Sequence, residues 1–179
     1  MAAHRKINDV VLLEPDGLCR ALLAESLGRT FRGATIHAEG NPAVAAEILT
    51  ERGVGLFVVA VRGFDLDAIT LLGVWAEHQS HCVPALVVTP DIDSTAMLAL
   101  RALPIPGIFD SSCGDIREFE DACATVACGL PYRSRTARAV MAAKAVIRNE
   151  GKPGHLTVVQ PTHVPPKNPS SGRKPRRRG

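Results

Sequence analysis

Two hydrophobic periods alternate along residues 8–130. Unbroken apolar runs stand at Val10-Val11-Leu12-Leu13, Leu56-Phe57-Val58-Val59-Ala60-Val61, Ala85-Leu86-Val87-Val88 and Gly107-Ile108-Phe109. Short runs with no polar interruption suit strands covered on both faces, as in a parallel sheet. The weaker alternation Ala34-Thr35-Ile36-His37-Ala38 predicts an edge strand. Between the runs the apolar residues take helical spacing: Leu18, Leu22, Leu23 and Leu27; Val44, Ala45, Ile48 and Leu49; Ile116, Phe119, Cys123, Val126 and Leu130. Each set can lay one stripe on a sheet. Asp16, Asn41, Asp65 and Asp93 or Ser94 stand where helix N-caps are wanted, and Gly53 and Gly55 separate a helix from the next strand.

Five βα units with right-handed crossovers predict an α/β fold, a doubly wound five-stranded parallel sheet in the flavodoxin-like order 2-1-3-4-5. Function is then expected at the carboxyl ends of strands 1, 3, 4 and 5. The expected organisation is an N-terminal arm at 1–7, the sheet domain at 8–130, a basic helical extension at 131–150 and a tail at 151–179. The extension is expected to be helical from Tyr132 to about Arg148, with Ala137, Val140, Met141 and Ala145 as its few apolar positions. Six of the 29 residues from Gly151 onward are Pro and none is acidic, so the tail is expected to be disordered.

Charge sharpens this division. The net charge of +3 is the sum of unlike parts. Residues 1–130 carry 9 Lys and Arg against 17 acids, while residues 131–179 carry 12 against the single Glu150. A body of −8 therefore bears a segment of +11, which is the part expected to meet a polyanion or an acidic protein surface. No run of 18 apolar residues exists, and the N-terminus lacks the pattern of a secretory signal, so a cytoplasmic protein without membrane contact is expected. Cys19, Cys82, Cys113, Cys123 and Cys128 show no CxxC spacing and read as reduced cysteines. His78-Gln79-Ser80-His81-Cys82 is the one cluster with metal-ligand character, but it lies between a helix pattern and a strand pattern with no further ligand set, and a solvated turn is the simpler reading. No GxxxxGK[ST], GxSxG or HExxH motif is present, and neither an enzyme, a cofactor, a metal nor a small-molecule substrate is expected.

Residues 8 to about 128 resemble a response-regulator receiver domain of the CheY-like superfamily, nearest to receivers of LuxR-type regulators. The resemblance rests on Val10-Val11-Leu12-Leu13-Glu14-Pro15-Asp16-Gly17-Leu18-Cys19-Arg20, on Pro84-Ala85-Leu86-Val87-Val88-Thr89, and on Gly107-Ile108-Phe109-Asp110-Ser111-Ser112. It implies a place in two-component signal transduction. The family's phosphorelay chemistry uses a carboxylate nucleophile after strand 3, two acids after strand 1 that help hold Mg²⁺, and a Thr or Ser and a Lys on the phosphoryl oxygens. Counting back from Asp67-Ala68, which stand at the family's Asp/Asn-Gly, the nucleophile position falls on Ala60. Glu14 matches the first acid, Pro15 stands at the second, Asp16 is shifted by one, Thr89 matches the hydroxyl and Ser111 replaces the Lys. Asp65 and Asp67 lie five or more residues past Ala60, and at about 3.3 Å per residue neither is expected to reach the site.

The resemblance therefore implies a pseudo-receiver that works through its surfaces, as a homodimer or docked on another regulatory protein. The face implied is that of the fourth helix, fifth strand and fifth helix, with Met97, Leu98, Arg101, Phe109, Ile116, Phe119 and Glu120. Phe109 stands two before the Lys position, where the family's switch aromatic is placed, although an aromatic ring here also reads as core. The residues after Glu150 hold only Leu156-Thr157-Val158-Val159 as an apolar cluster, so no helix-turn-helix is expected there. The segment Gly172-Arg173-Lys174-Pro175-Arg176-Arg177-Arg178-Gly179 resembles an AT-hook, an arm that lies in the minor groove of A·T-rich DNA. The same arginines and lysine also suit unspecific contact with RNA or acidic proteins, or a merely solvated charge run.

Overall fold

The structure is a computed structural model and describes residues 7–63, 66–77, 83–90 and 103–139. In chain order the elements are β1 (Asp9–Leu13), α1 (Gly17–Thr30), β2 (Thr35–Glu39), α2 (Pro42–Glu51), β3 (Leu56–Ala60), α3 (Leu66–Glu77), β4 (Ala85–Thr89), β5 (Gly107–Asp110), α4 (Ile116–Ala127) and β6 (Tyr132–Arg133). All strand pairs are parallel, in the order β2-β1-β3-β4-β5-β6. The alternation of apolar runs and helical stripes is thus realised as a doubly wound sheet. Two caps follow the sequence reading: Asp16 accepts from the Cys19 N–H at 2.8 Å and Asn41 from the Ala43 N–H at 2.9 Å ahead of Pro42; a third, Asp115, which the sequence reading did not name, caps α4 by accepting from the Glu118 N–H at 2.8 Å. The expected caps at Asp65 and at Asp93 or Ser94, and the His78–Cys82 cluster, lie outside the described residues.

Strand alternation sends Val11, Leu13, Phe57, Val59, Val87 and Ile108 to one side, where they meet Ala45 of α2 and Ala68, Leu71, Leu72 and Trp75 of α3. Val10, Leu12, Val58, Leu86, Val88 and Phe109 face Leu27 of α1 and Phe119, Ala122, Cys123 and Val126 of α4. β1, β3 and β4 are sealed between these layers, which is why they read as unbroken apolar runs, whereas β2 at the edge is only half-buried.

Two expectations need correction. The helical stripes are narrower than their spacing suggests. Leu18 and Leu22 of α1 are 73% and 55% exposed, Ile116 and Leu130 are exposed as well, and Ser26 is buried. Ser26 stands at the seam between α1 and α4, where its Oγ donates to Glu120 Oε1 at 2.8 Å and Arg29 donates to the same oxygen. This polar clasp accounts for the burial of Ser26, while the four leucines of α1 spread over about half the helix circumference, so that facing Leu27 to the sheet leaves Leu18 and Leu22 in solvent. The sheet also has six strands instead of five, and packing runs past Leu130. Gly129, at φ 77°, turns the chain after α4. Tyr132 and Arg133 then add an edge to β5 instead of starting a helix, and the Arg133 guanidinium donates to the carbonyl oxygens of Ile105 (2.8 Å), Tyr132 (2.7 Å) and Pro106. Residues 135–139 are helical, and Ala137 is buried against the α2–α3 layer. The rest of the expected extension, and the tail, lie outside the described residues.

Candidate functional site

The ladder brings the family-matched positions together at the carboxyl end of the sheet. Leu13 is level with Val59, so the next step of each strand places Glu14 beside Ala60; Ala60 is level with Val88 and Thr89 with Asp110. Ser111 follows, its N–H donating to the Thr89 carbonyl at 3.0 Å. Glu14, Ala60 and Thr89 are buried, whereas Pro15, Asp16 and Ser111 are exposed.

The charge of this corner is set by an arginine that spacing does not reveal. Glu14 is 1% exposed, and its carboxylate accepts from the Asp16 N–H through Oε1 at 3.0 Å and from Arg62 Nη2 through Oε2 at 3.0 Å. The bond to Glu14 holds the Arg62 guanidinium above its ordinary pKa, with the Cys19 side chain adding to the effect against some burial. Arg20 closes the same corner from α1, donating from Nη1 to the Glu14 carbonyl at 2.8 Å and to the Pro15 carbonyl at 3.2 Å. Asp16 is committed to capping α1, and the Cys19 N–H it accepts from keeps its carboxyl below the usual range.

A divalent cation does not fit these groups. Mg²⁺ requires several hard oxygen ligands in near-octahedral array. Pro15 and Ala60 bring no side-chain oxygen, and the Glu14 carboxylate is already charge-paired. Among the described residues no group of three His, Cys, Asp or Glu could hold a metal ion.

On the neighbouring strand Asp110 is 4% exposed, and its Oδ1 accepts from the Ser112 N–H at 2.9 Å and the Ser112 hydroxyl at 2.6 Å. Burial pushes this carboxyl up, but the hydrogen bonds from Ser112 and Thr136 outweigh it and leave it below its ordinary pKa. The Asp110 N–H donates to Ser134 Oγ at 3.2 Å, so this residue ties the loop after β5 to the segment after β6.

The other expected site residues divide. Phe109 and Phe119 are buried against each other with ring centroids 5.7 Å apart at 63°, so they form core and not an interaction face. Ile116 and Glu120 remain at the surface in whole or part. Met97, Leu98 and Arg101, and Arg173, Lys174, Arg176, Arg177 and Arg178, lie outside the described residues. Arg62, Arg20 and Asp110 were not among the expected site residues. A single arginine directly after a buried apolar run is the only local sign of Arg62, and it belongs to no periodic pattern.

No family model matches the sequence, and no match was found among curated proteins. Solved structures do match. A LuxR family DNA-binding response regulator from Silicibacter pomeroyi is 17% identical with a TM-score of 0.59, over 73% of this chain and 99% of that one. The signal receiver domain of an HD domain-containing protein from Pseudomonas fluorescens Pf-5 is 18% identical with a TM-score of 0.58, over 67% of this chain and 94% of that one. The chain has the receiver-domain fold. The RcsB response regulator of Salmonella typhimurium, at 15% identity, aligns with a TM-score of 0.64 over 77% of this chain and 68% of that one. At these identities the likeness is one of fold, and within the receiver fold the Glu14–Arg62 pair stands at the acidic corner after β1. No helix among the described residues is long and apolar enough to cross a membrane.

Proposed function

We propose that this is a pseudo-receiver: a non-enzymatic signalling protein with the receiver fold that acts through protein–protein interaction, without phosphorylation of an aspartate. The observation that carries the reading is Ala60 at the end of β3, level with a Glu14 whose carboxylate is held by Arg62. A methyl group cannot form an acyl phosphate, and transfer requires reacting atoms within about 3–3.5 Å. The partner is a second copy of the chain or another regulatory protein. Incubation with acetyl phosphate and Mg²⁺, followed by intact-mass measurement, is expected to show no phosphoryl gain; a stoichiometric gain overturns the reading. Sedimentation equilibrium is expected to show a mass that rises with concentration. A mass of 19.0 kDa throughout, with no regulatory partner recovered, counts against the interaction half.

A second reading is favoured by the opposed charges of body and tail: a small DNA-associated regulator whose AT-hook-like segment supplies affinity. The +11 of residues 131–179 suits contact with phosphates. Binding to A·T-rich duplex is then expected to weaken steeply with salt, with a log–log slope of about −0.9 per phosphate neutralised. Deletion of residues 151–179 is expected to abolish the binding, and undiminished binding by the shortened chain excludes the tail as its source.

A further inference from the structure

We propose that Arg62 is a resident cation, standing in the acidic corner where a receiver domain would hold a divalent metal and keeping that metal out. The inference rests on the pseudo-receiver reading of the site and goes beyond the loss of the nucleophile. A domain that had merely lost its acceptor aspartate would retain a carboxylate open to Mg²⁺. Here the remaining acid of the matched pair, Glu14, is buried, and the partner of its Oε2 is a guanidinium at 3.0 Å. Arg62 reaches it from the segment that leaves β3, 48 residues further along the chain, while its own side chain is 50% exposed. A guanidinium delivers one positive charge and directed N–H donors, and unlike a hydrated ion it cannot dissociate from the protein.

The second oxygen of Glu14 is taken by the Asp16 N–H, and Arg20 occupies the Glu14 and Pro15 carbonyls, so the oxygen atoms around the corner already face donors. A dication entering beside Glu14 would have to displace Arg62 or accept its repulsion at close range. The loops after β1 and β3 are consequently joined by the chain's own charge, independently of metal concentration.

The test uses Mn²⁺ as the probe and the full chain as the protein, with binding read from loss of the free-Mn²⁺ EPR signal. Wild type, Ala60→Asp, Arg62→Met and the double variant Ala60→Asp/Arg62→Met are compared. Wild type is expected to bind no Mn²⁺ at Glu14, and Ala60→Asp to bind weakly because Arg62 pairs with the new carboxylate. The double variant is expected to bind roughly tenfold tighter than Ala60→Asp, or more, a difference of about 1.4 kcal/mol. Equal binding by these two, with both folded by circular dichroism, overturns the proposal. So does Mn²⁺ binding by wild type that Glu14→Gln abolishes. Should the Ala60→Asp variants fail to fold, Pro15→Asp/Arg62→Met against Pro15→Asp makes the same comparison with the second acid restored at an exposed position, and equal binding there equally overturns the proposal. A phosphoryl gain by the wild type would instead defeat the pseudo-receiver reading; Mn²⁺ binding by a wild type that gains no phosphoryl group defeats only the role of Arg62.

Discussion

Phe119→Ala is expected to lower the unfolding free energy by about 4 kcal/mol, the middle of the range for removing a buried aromatic ring. Phe119 is fully buried in the first turn of α4, in the layer that also holds Val10, Leu12, Val58, Val88 and Phe109. Two effects add. The ring's burial is lost, and the space it leaves is bounded by strands held in a six-stranded ladder that cannot collapse into it. The edge-to-face contact with Phe109 at 5.7 Å goes as well, worth about 1 kcal/mol beyond area. Phe119→Leu is expected to recover more than half of the loss. Urea unfolding followed by far-ultraviolet circular dichroism measures both values. A cost below about 1 kcal/mol for the alanine, as expected of a surface position, would show that Phe119 belongs to an interaction face after all.

Arg62→Met is expected to cost about 2 kcal/mol. Removing one partner of a fully buried ion pair costs about 3–5 kcal/mol because the other charge is stranded. Glu14 is buried to that degree, but the Arg62 side chain is half in water, so part of the pair's attraction is already screened. The methionine keeps the aliphatic stem of the side chain and thus isolates the charge. Glu14→Gln in the same background is expected to restore much of the loss, since a neutral amide needs no counter-charge. A double-mutant cycle between the two positions is therefore expected to give a coupling of roughly 1–2 kcal/mol. Strictly additive effects would mean that the 3.0 Å contact contributes nothing to folding and that the corner is held by Arg20 and the Asp16 N–H alone.

These variants separate residues that matter for packing from residues that give the corner its charge. Phe119, Leu12 and Phe57 fill the layers on the two faces of the sheet, whereas Glu14 and Arg62, just past β1 and β3, give the corner its charge. The corner depends on Glu14 and on three positions of small local consequence. Ala60 fills a strand end quietly, Pro15 occupies an exposed turn, and Arg62 follows the strand without a cap or turn role to announce it. Only Glu14 is out of place by its own properties, being a charged residue that directly continues a buried strand.

The alternation of apolar runs with helical stripes determines the element order, the parallel sheet, the edge position of β2 and the capping residues Asp16 and Asn41, because burial on two faces and the orphan N–H groups of a helix start each demand particular residues locally. The count back from Asp67-Ala68 to Ala60 is likewise a matter of spacing, and the ladder sets Ala60 level with Glu14. What spacing leaves open is decided by contacts between distant segments. The Glu14–Arg62 pair spans 48 residues, the Ser26–Glu120 clasp that buries Ser26 spans 94, and the Arg133 bonds at β6 span 27 and 28. Each is a polar contact formed by side chains that no hydrophobic period places, and each exists only once the sheet has brought its two ends together.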